Sequence, residues 1–221
     1  MTAELRAERQ GDCLLLRLEH AQTRHTLTAA LCAAVFEALT TAERDREIRA
    51  VVLTGTPHHF CSGLQDRTAI EPLHDCILAL RDCTPLVVGA VEGQAHGAGA
   101  ALALACDLLV AADGARLQLT DPALPEVDVG GAQWLAAQLL PRTACNEATL
   151  PGLGLGAPRL HQLGVVSRVC APGASVQTAL QLIEAIPAAA GRARKALPDP
   201  RRQDGELHRH LSRQLQPGAT D

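Results

Sequence analysis

The chain alternates between short apolar runs and segments in which apolar residues recur every three or four positions. The apolar runs are rich in Val and Leu and end at Gly or polar residues, which is typical of buried β-strands. Segments with helical periodicity separate these runs, so the pattern predicts an α/β protein whose strands are joined by crossover helices. The predicted strands are 13–18, 49–55, 86–91 and 108–112, and the predicted helices are 30–39, 98–106, 134–140 and 175–186.

Two parts of the chain lack a clear periodic pattern. The stretch after residue 55 is polar and irregular to about Thr84, and the tail beyond Pro187 is rich in Arg and Pro, so little regular structure is predicted there. We expect a core domain over residues 1–170, followed by a short C-terminal helical or oligomerisation segment and tail over residues 171–221.

Composition and charge exclude several classes of protein. The chain has 221 residues, enough for one hydrophobic core. Its net charge is -4, which argues against a nucleic-acid-binding surface, and two Phe, one Trp and no Tyr provide no platform for stacking bases. No uncharged apolar stretch reaches the ~18 residues that a membrane span needs. We therefore expect neither nucleic acid nor a membrane as a partner.

The cysteines and histidines show no spacing that indicates a special site. None of the eight cysteines forms a C-x-x-C pair with another, and the nine histidines are not spaced as metal ligands usually are. The polar N-terminus carries no apolar signal core. The sequence thus predicts a reduced, cytoplasmic protein without a metal.

Two glycine-containing turns carry the candidate chemistry. Residues 62–64 (Ser-Gly-Leu) follow one predicted strand, and residues 97–99 (Gly-Ala-Gly) lie between another strand and a helix of small residues. Glycine lets the backbone approach a ligand, and the first N–H groups of a helix have no internal partner, so these turns suit an anion or an oxyanion. A dinucleotide fingerprint fails because Leu102 stands where its third glycine belongs, and no G-K-[ST] of a phosphate loop occurs.

Taken together, the two turns resemble the crotonase (enoyl-CoA hydratase/isomerase) family. The resemblance rests on F-C-S-G-x-x-D at residues 60–66 and G-x-A-x-G-A-G with a following C-D at residues 93–107, and it extends from about Leu14 to Val169. It implies an α/β crotonase-like fold, the ClpP/crotonase spiral of ββα units, with a short helical C-terminal part. It also implies a homotrimer or hexamer that acts on acyl thioesters, with no cofactor beyond the CoA or phosphopantetheine of the substrate.

The resemblance assigns roles to the two turns. The backbone N–H groups of Leu64 and Ala98 would hold the enolate oxygen of a thioester. Donors of this kind stabilise the negative charge that develops on that oxygen in the transition state. The substrate-binding residues implied with them are Ser62, Gly63, Gly97 and Gly99.

The acid/base groups depart from the hydratase pattern. The position of the first hydratase Glu is Ala101, so that carboxylate is missing. The position of the second is Asp121, although an alternative count from the later Gly-Gly pair gives Thr120. We favour Asp121, because a carboxyl group in an apolar pocket has a raised pKa suited to proton transfer. The further candidates for proton transfer are His96, Glu126 and Asp128.

A single carboxylate changes the expected reaction. Hydration needs one group to orient water and another to deliver a proton, whereas one base can shuttle a proton between carbons or protonate an enolate formed by CO₂ loss. The sequence therefore favours an isomerase or a lyase that decarboxylates over a hydratase. The short segment of about 20 residues between Gly63 and Pro85 suits an acyl group delivered by an acyl-carrier protein, with the Arg-rich tail as a candidate contact. A non-catalytic subunit or thioester-binding scaffold remains the alternative.

Overall fold

The protein folds into two β-sheets surrounded by helices. The computed structural model describes residues 4–19, 25–187, 190 and 204–215. The larger sheet has the strand order β1-β2-β3-β5-β7-β10, and the smaller has the order β4-β6-β8-β9. The strands are β1 Glu4–Gln10, β2 Cys13–Glu19, β3 Ala50–Thr54, β4 His59–Cys61, β5 Leu86–Val91, β6 Gln94–His96, β7 Leu108–Ala112, β8 Arg116–Gln118, β9 Leu155–Gly156 and β10 Arg168–Cys170. The helices are α1 Ala29–Arg44, α2 Ile70–Asp82, α3 Ala98–Ala105, α4 Ala132–Leu139, α5 Arg142–Thr149, α6 Ala157–Gln162, α7 Ser175–Glu184 and α8 Asp204–Gln214.

Successive strands alternate between the two sheets. β3 belongs to the large sheet and β4 to the small one, before α2; β5 and β6 repeat the arrangement before α3, and β7 and β8 repeat the two-strand step. The pairings from β2 through β10 in the large sheet are parallel, as are β4 with β6 and β6 with β8. This is the predicted spiral of ββα units, and it brings the ends of β4, β6 and β8 side by side.

Both faces of the large sheet are buried. Alternate residues of β3 point to opposite sides: Val51 and Leu53 join the main core, while Ala50 and Val52 join a second cluster with Ile183 of α7. A central parallel strand with both faces covered is expected to be apolar at every position, as β3 is. Burial of this kind removes apolar area from water and is the main source of stability.

Most sequence-predicted elements are confirmed. The strands over residues 86–91 and 108–112 have the predicted bounds, and α3 ends one residue early. The prediction of an irregular stretch up to Thr84 is wrong, because α2 occupies residues 70–82 and buries Leu73 and Ile77 on one face. The expectation of a weakly structured tail is also wrong for residues 204–214, which form α8. The Arg-rich positions 192–202, the candidate carrier-protein contact, lie outside the described residues.

The C-terminal helices are held by buried polar contacts as well as by apolar packing. Glu92, just after β5, accepts hydrogen bonds from the amides of Gly173 (3.1 Å) and Ser175 (3.0 Å) at the start of α7. His210 of α8 donates to Asp128 Oδ2 over 2.8 Å. Acceptors at a helix N-terminus satisfy amides that have no partner within the helix.

No helix in the described part of the chain is long and apolar enough to cross a membrane.

Candidate active site

The first of the two turns follows β4 and is fixed by the segment before α1. Leu27 N donates to Gly63 O and Gln65 N donates to Leu27 O, both over 2.8 Å, so Leu64 lies between two backbone hydrogen bonds. Gly63 has φ +109°, a conformation that residues with a Cβ rarely adopt. The N–H of Leu64 is left to point away from these bonds toward the end of β8.

The second turn joins β6 to α3. Gly97 has φ +46°, and its N–H donates to Gln118 O of β8 over 2.9 Å. Ala98 is the first residue of α3, so its N–H has no acceptor within the helix. A Cβ on Gly99 would lie 2.6 Å from Cys61 O, so the absence of a side chain there lets the two turns touch.

The two amides converge on one oxygen atom, and that atom belongs to Asp121. Leu64 N lies 3.0 Å and Ala98 N lies 3.1 Å from Asp121 Oδ2. The other carboxylate oxygen, Oδ1, accepts from Ala123 N over 3.0 Å. Asp121 Oδ2 therefore stands where the oxygen of an enolate or a tetrahedral oxyanion would be held. Two converging amides can hold a negative oxygen, and in this structure they hold a carboxyl oxygen of the chain itself.

Opposing effects act on the carboxyl group of Asp121. Its burial raises its pKa above the ordinary range for Asp, while the hydrogen bonds from Ala98, Ala123 and Leu64 and the charge of nearby His96 partly lower it. Burial also lowers the pKa of His96, although Asp121 partly opposes that effect. A buried carboxyl group whose pKa is raised holds a proton more readily than an exposed one, which suits it to both accept and return a proton.

A cavity of about 480 Å³ lies beside Asp121, on the face of the small sheet that points away from the main core. This volume is typical of a small-molecule site. His96 lies on its wall with Nε2 3.1 Å from Gln94 Oε1. The lining residues are Gln94, His96, Arg116, Gln118, Thr120, Asp121, Pro122, Pro125, Pro151, Gly152, Leu153 and Gly154.

The structure brings together some of the sequence-predicted residues and separates others. Leu64, Ala98 and Asp121 meet directly, and the flanking Ser62, Gly63, Gly97 and Gly99 form the two turns. Thr120, the alternative in the sequence count, also lines the cavity, and its Oγ1 donates to Thr149 O.

The two acidic candidates in the loop after Asp121 have partners away from the cavity. Glu126 forms an exposed ion pair with Arg67. Asp128 accepts from the amides of Gln133 (2.7 Å) and Trp134 (3.1 Å), which places its carboxylate at the N-terminal turn of α4. Neither side chain lines the cavity.

The position of the missing hydratase carboxylate lies inside the core. Ala101 is fully buried in α3, and a Cβ on Gly130 would lie 2.9 Å from the Ala101 Cβ. The absence of a side chain at Gly130 thus lets the loop before α4 pack closely against Ala101.

Sequence reasoning missed two features of the site. It treated Asp121 as a base beside the amide pair and did not foresee that its carboxylate occupies the pair. It also passed over Arg116, Gln118 and Gln94, whose alternation with buried Leu117 and Ala95 along β8 and β6 is the signal of a shared sheet face.

A spiral of ββα units with two converging backbone amides at its turns defines the crotonase class of proteins. A sequence model described as enoyl-CoA hydratase/isomerase matches residues 8–218. The chain belongs to this family.

Similar proteins in the family include both hydratases and isomerases. The 2,3-dehydroadipyl-CoA hydratase of Escherichia coli (strain K12) is 30% identical over 191 residues, which cover 81% of this chain and 74% of that protein. The 1,2-epoxyphenylacetyl-CoA isomerase of the same strain is 30% identical over 184 residues, covering 76% and 70%. The crystal structure of an enoyl-CoA hydratase from Polaromonas sp. JS666 has a TM-score of 0.77 and 32% identity, covering 96% of this chain and 91% of that one. The family of this chain is established, but its similar proteins include both hydratases and an isomerase, so their names do not identify a single reaction.

Proposed function

We propose that the protein is an acyl-thioester enzyme that moves a proton at the carbon next to the thioester carbonyl, as a double-bond isomerase or a decarboxylase in preference to a hydratase. The observation that carries this proposal is the convergence of Leu64 N–H and Ala98 N–H on a single oxygen position. Two such donors, held before the reaction begins, stabilise an enolate oxygen without reorganisation.

The reaction begins with an exchange of acceptors. The thioester carbonyl oxygen takes the place of Asp121 Oδ2 on the two amides, and the released carboxylate turns toward the cavity that Asp121 already lines. In that position it is a base next to the bound acyl group. Its raised pKa gives it the proton affinity that such a base requires.

Proton transfer then follows one of two balanced routes. In isomerisation, Asp121 takes a proton from the α-carbon of a β,γ-unsaturated thioester, the electron pair forms an enolate on the amide-bound oxygen, and the proton returns at the γ-carbon. In decarboxylation, the bond between the α-carbon and a carboxylate breaks to release CO₂, and protonated Asp121 delivers a proton to the enolate. Hydration is disfavoured because Ala101 stands at the position of the first hydratase Glu, which leaves Asp121 as a single carboxylate. A CoA or an acyl-carrier protein presents the same thioester to these groups.

Deuterium exchange tests the proposal. The purified protein is incubated in D₂O with a β,γ-unsaturated acyl-CoA, and deuterium at the α- and γ-carbons is measured by mass spectrometry and NMR. We expect exchange and double-bond migration in the wild type, loss of both in Asp121→Asn, and retention in Asp113→Asn, which changes an exposed carboxylate. Release of CO₂ from a malonyl-type thioester identifies the decarboxylase, and faster loss of the double bond by addition of water contradicts the preference against hydration.

A non-catalytic thioester-binding scaffold is the second candidate. It is favoured by the occupation of the amide pair by Asp121, which is fully buried, and by the missing carboxylate at Ala101. This candidate predicts thioester binding without deuterium exchange in the wild type. Unchanged exchange in Asp121→Asn would instead remove this residue from the mechanism and leave the enzyme class intact.

A further inference from the structure

The walls of the cavity are formed by one polar face of the small sheet. In the parallel pairing of β6 with β8, Gln94 lies opposite Arg116 and His96 lies opposite Gln118. Residues two apart on a strand share a face, and adjacent strands lie ~4.8 Å apart, so these four side chains form a compact polar patch. From Arg116 and Gln118 of β8 the lining continues beyond the strand to Thr120 and Asp121.

The cavity also has apolar lining residues. They are Leu153, Pro151, Pro122 and Pro125, and Pro122 directly follows Asp121 in the chain. Small-molecule sites usually combine apolar walls with a few polar groups. The apolar walls bind the hydrocarbon part of the ligand, and the polar groups determine which ligand substituents are accepted. An acyl chain that extends from the amide pair would thus run between these walls toward Arg116.

Arg116 is held in position by the loop that carries the apolar wall. Its Nη2 donates to Leu153 O and to Gly154 O, the latter over 3.2 Å. On the same strand, Gln118 Nε2 donates to Ala148 O (3.1 Å) and Leu150 O (2.9 Å), at the C-terminal end of α5. Within the described residues no carboxylate lies at ion-pair distance from Arg116, and it is the one permanent cation that lines the cavity. Because Nη2 is engaged by the loop, a ligand carboxylate would be held by the positive charge of the guanidinium and by the N–H groups of Nε or Nη1.

We propose that the cavity binds an acyl thioester that carries a second carboxylate at the far end of its acyl chain, with Arg116 as the residue that selects this group. The inference rests on the proposed function, because it places the thioester carbonyl on the amides of Leu64 and Ala98. It adds a substrate class: the mono-thioesters of aliphatic dicarboxylic acids. A phosphate of CoA offers similar chemistry to Arg116, so the experiment must separate the two sources of negative charge.

Binding selectivity tests the proposal. Affinities are measured by calorimetry for ω-carboxyacyl-CoA and methyl-terminated acyl-CoA of equal chain length, over a series from four to eight carbons, and for the corresponding pantetheine thioesters, which lack the nucleotide phosphates. We expect the wild type to prefer the carboxylate form by about tenfold or more at the best chain length, with both carriers. Arg116→Gln should lose the preference and Arg116→Lys should retain part of it. Arg159→Gln, a change to an exposed arginine outside the cavity, should leave the preference unchanged.

Each contrary result has a distinct meaning. Equal affinity for both acyl types in the wild type, or a preference that survives in Arg116→Gln, overturns the role of Arg116. A further contrary result is that Arg116→Gln weakens the binding of both acyl types when CoA carries them and leaves the pantetheine thioesters unaffected. That result would show that Arg116 binds a phosphate, and it would also overturn the proposal. Failure of the wild type to bind any thioester overturns the proposed function and this inference together. The ratio of the two affinities is the decisive readout, because loosening of the loop would weaken both ligands alike.

Discussion

Removal of the Asp121 side chain is expected to strengthen thioester binding while it abolishes proton transfer. In the structure Asp121 Oδ2 accepts from Leu64 N and Ala98 N at 3.0 and 3.1 Å, so a ligand carbonyl must compete with it for both amides. Hydrogen bonds to a charged partner contribute about 1.5–3 kcal/mol each, and the burial that raises the pKa of Asp121 offsets part of this sum. If about 1–3 kcal/mol remains, the variant Asp121→Ala should bind about 5- to 150-fold more tightly than the wild type.

The assay is titration of a non-reactive thioether or ketone analogue of an acyl-CoA, followed by calorimetry at several pH values. In the wild type, affinity should increase as the pH falls through the raised pKa of Asp121, because the protonated carboxyl is a weaker acceptor for the two amides. Asp121→Ala should lack this dependence, and Asp113→Ala should behave as the wild type. Equal or weaker binding by a folded Asp121→Ala variant would refute the internal competition.

Three further predictions concern the turn at Gly97, the hydrogen bonds of Glu92 to the start of α7, and the buried imidazole of His74. Gly97→Ala should abolish thioester binding and lower the melting temperature, because its Cβ would lie 2.3 Å from Asp121 Oδ2 at a φ of +46°. Glu92→Ala should lower the free energy of unfolding by about 1–3 kcal/mol, since it leaves two amides at the start of α7 without an acceptor; urea denaturation measures the loss. His74 is buried and its pKa is lowered to about 4, so as the pH falls from about 6.5 to 4 the unfolded chain takes up a proton that the folded one does not. Stability should fall over that window by up to about 3 kcal/mol, and His74→Leu should reduce the fall.

Control variants make each of these outcomes decisive. Gly114→Ala changes a glycine with open space around it and should have little effect, so an equal effect of Gly97→Ala would contradict the steric account. Glu92→Gln retains one acceptor oxygen and should cost less than Glu92→Ala. An acid stability profile of His74→Leu identical to that of the wild type would assign the fall in stability to other groups.

The sequence predicted the strands and helices of the core better than the segments between them. β5 consists of six buried residues between Pro85 and Glu92, and such a run has few alternatives in an α/β protein. α2 was missed although Leu73, Ile77 and Leu80 follow helical spacing, because His, Cys and charged residues between them weakened the pattern. α8 has little apolar signal of its own, and two buried leucines together with the contact between His210 and Asp128 hold it in place.

The positions of the two glycine turns were predictable from the sequence, but the contact of Asp121 with their amides was not. The turns around Gly63 and Gly97 are visible as motifs, since a positive φ requires glycine at both. Whether Asp121 reaches the amides depends on the register between β6 and β8. This register fixes the point at which the segment after β8 passes Gly97, at the end of β6. Register of this kind arises from tertiary packing and leaves no local signature in the residues themselves.

An internal carboxylate on the amide pair also affects the heat of ligand binding. When a carbonyl oxygen replaces Asp121 Oδ2, both N–H groups exchange one acceptor for another, and the number of hydrogen bonds at that point stays the same. The step replaces a carboxylate acceptor by a weaker carbonyl acceptor, so it contributes no favourable enthalpy. The affinity must then come from apolar surface buried in the cavity, with a negative change in heat capacity as its signature. Ligand preference in this protein would then be decided away from the reacting carbonyl, along the length of the acyl chain.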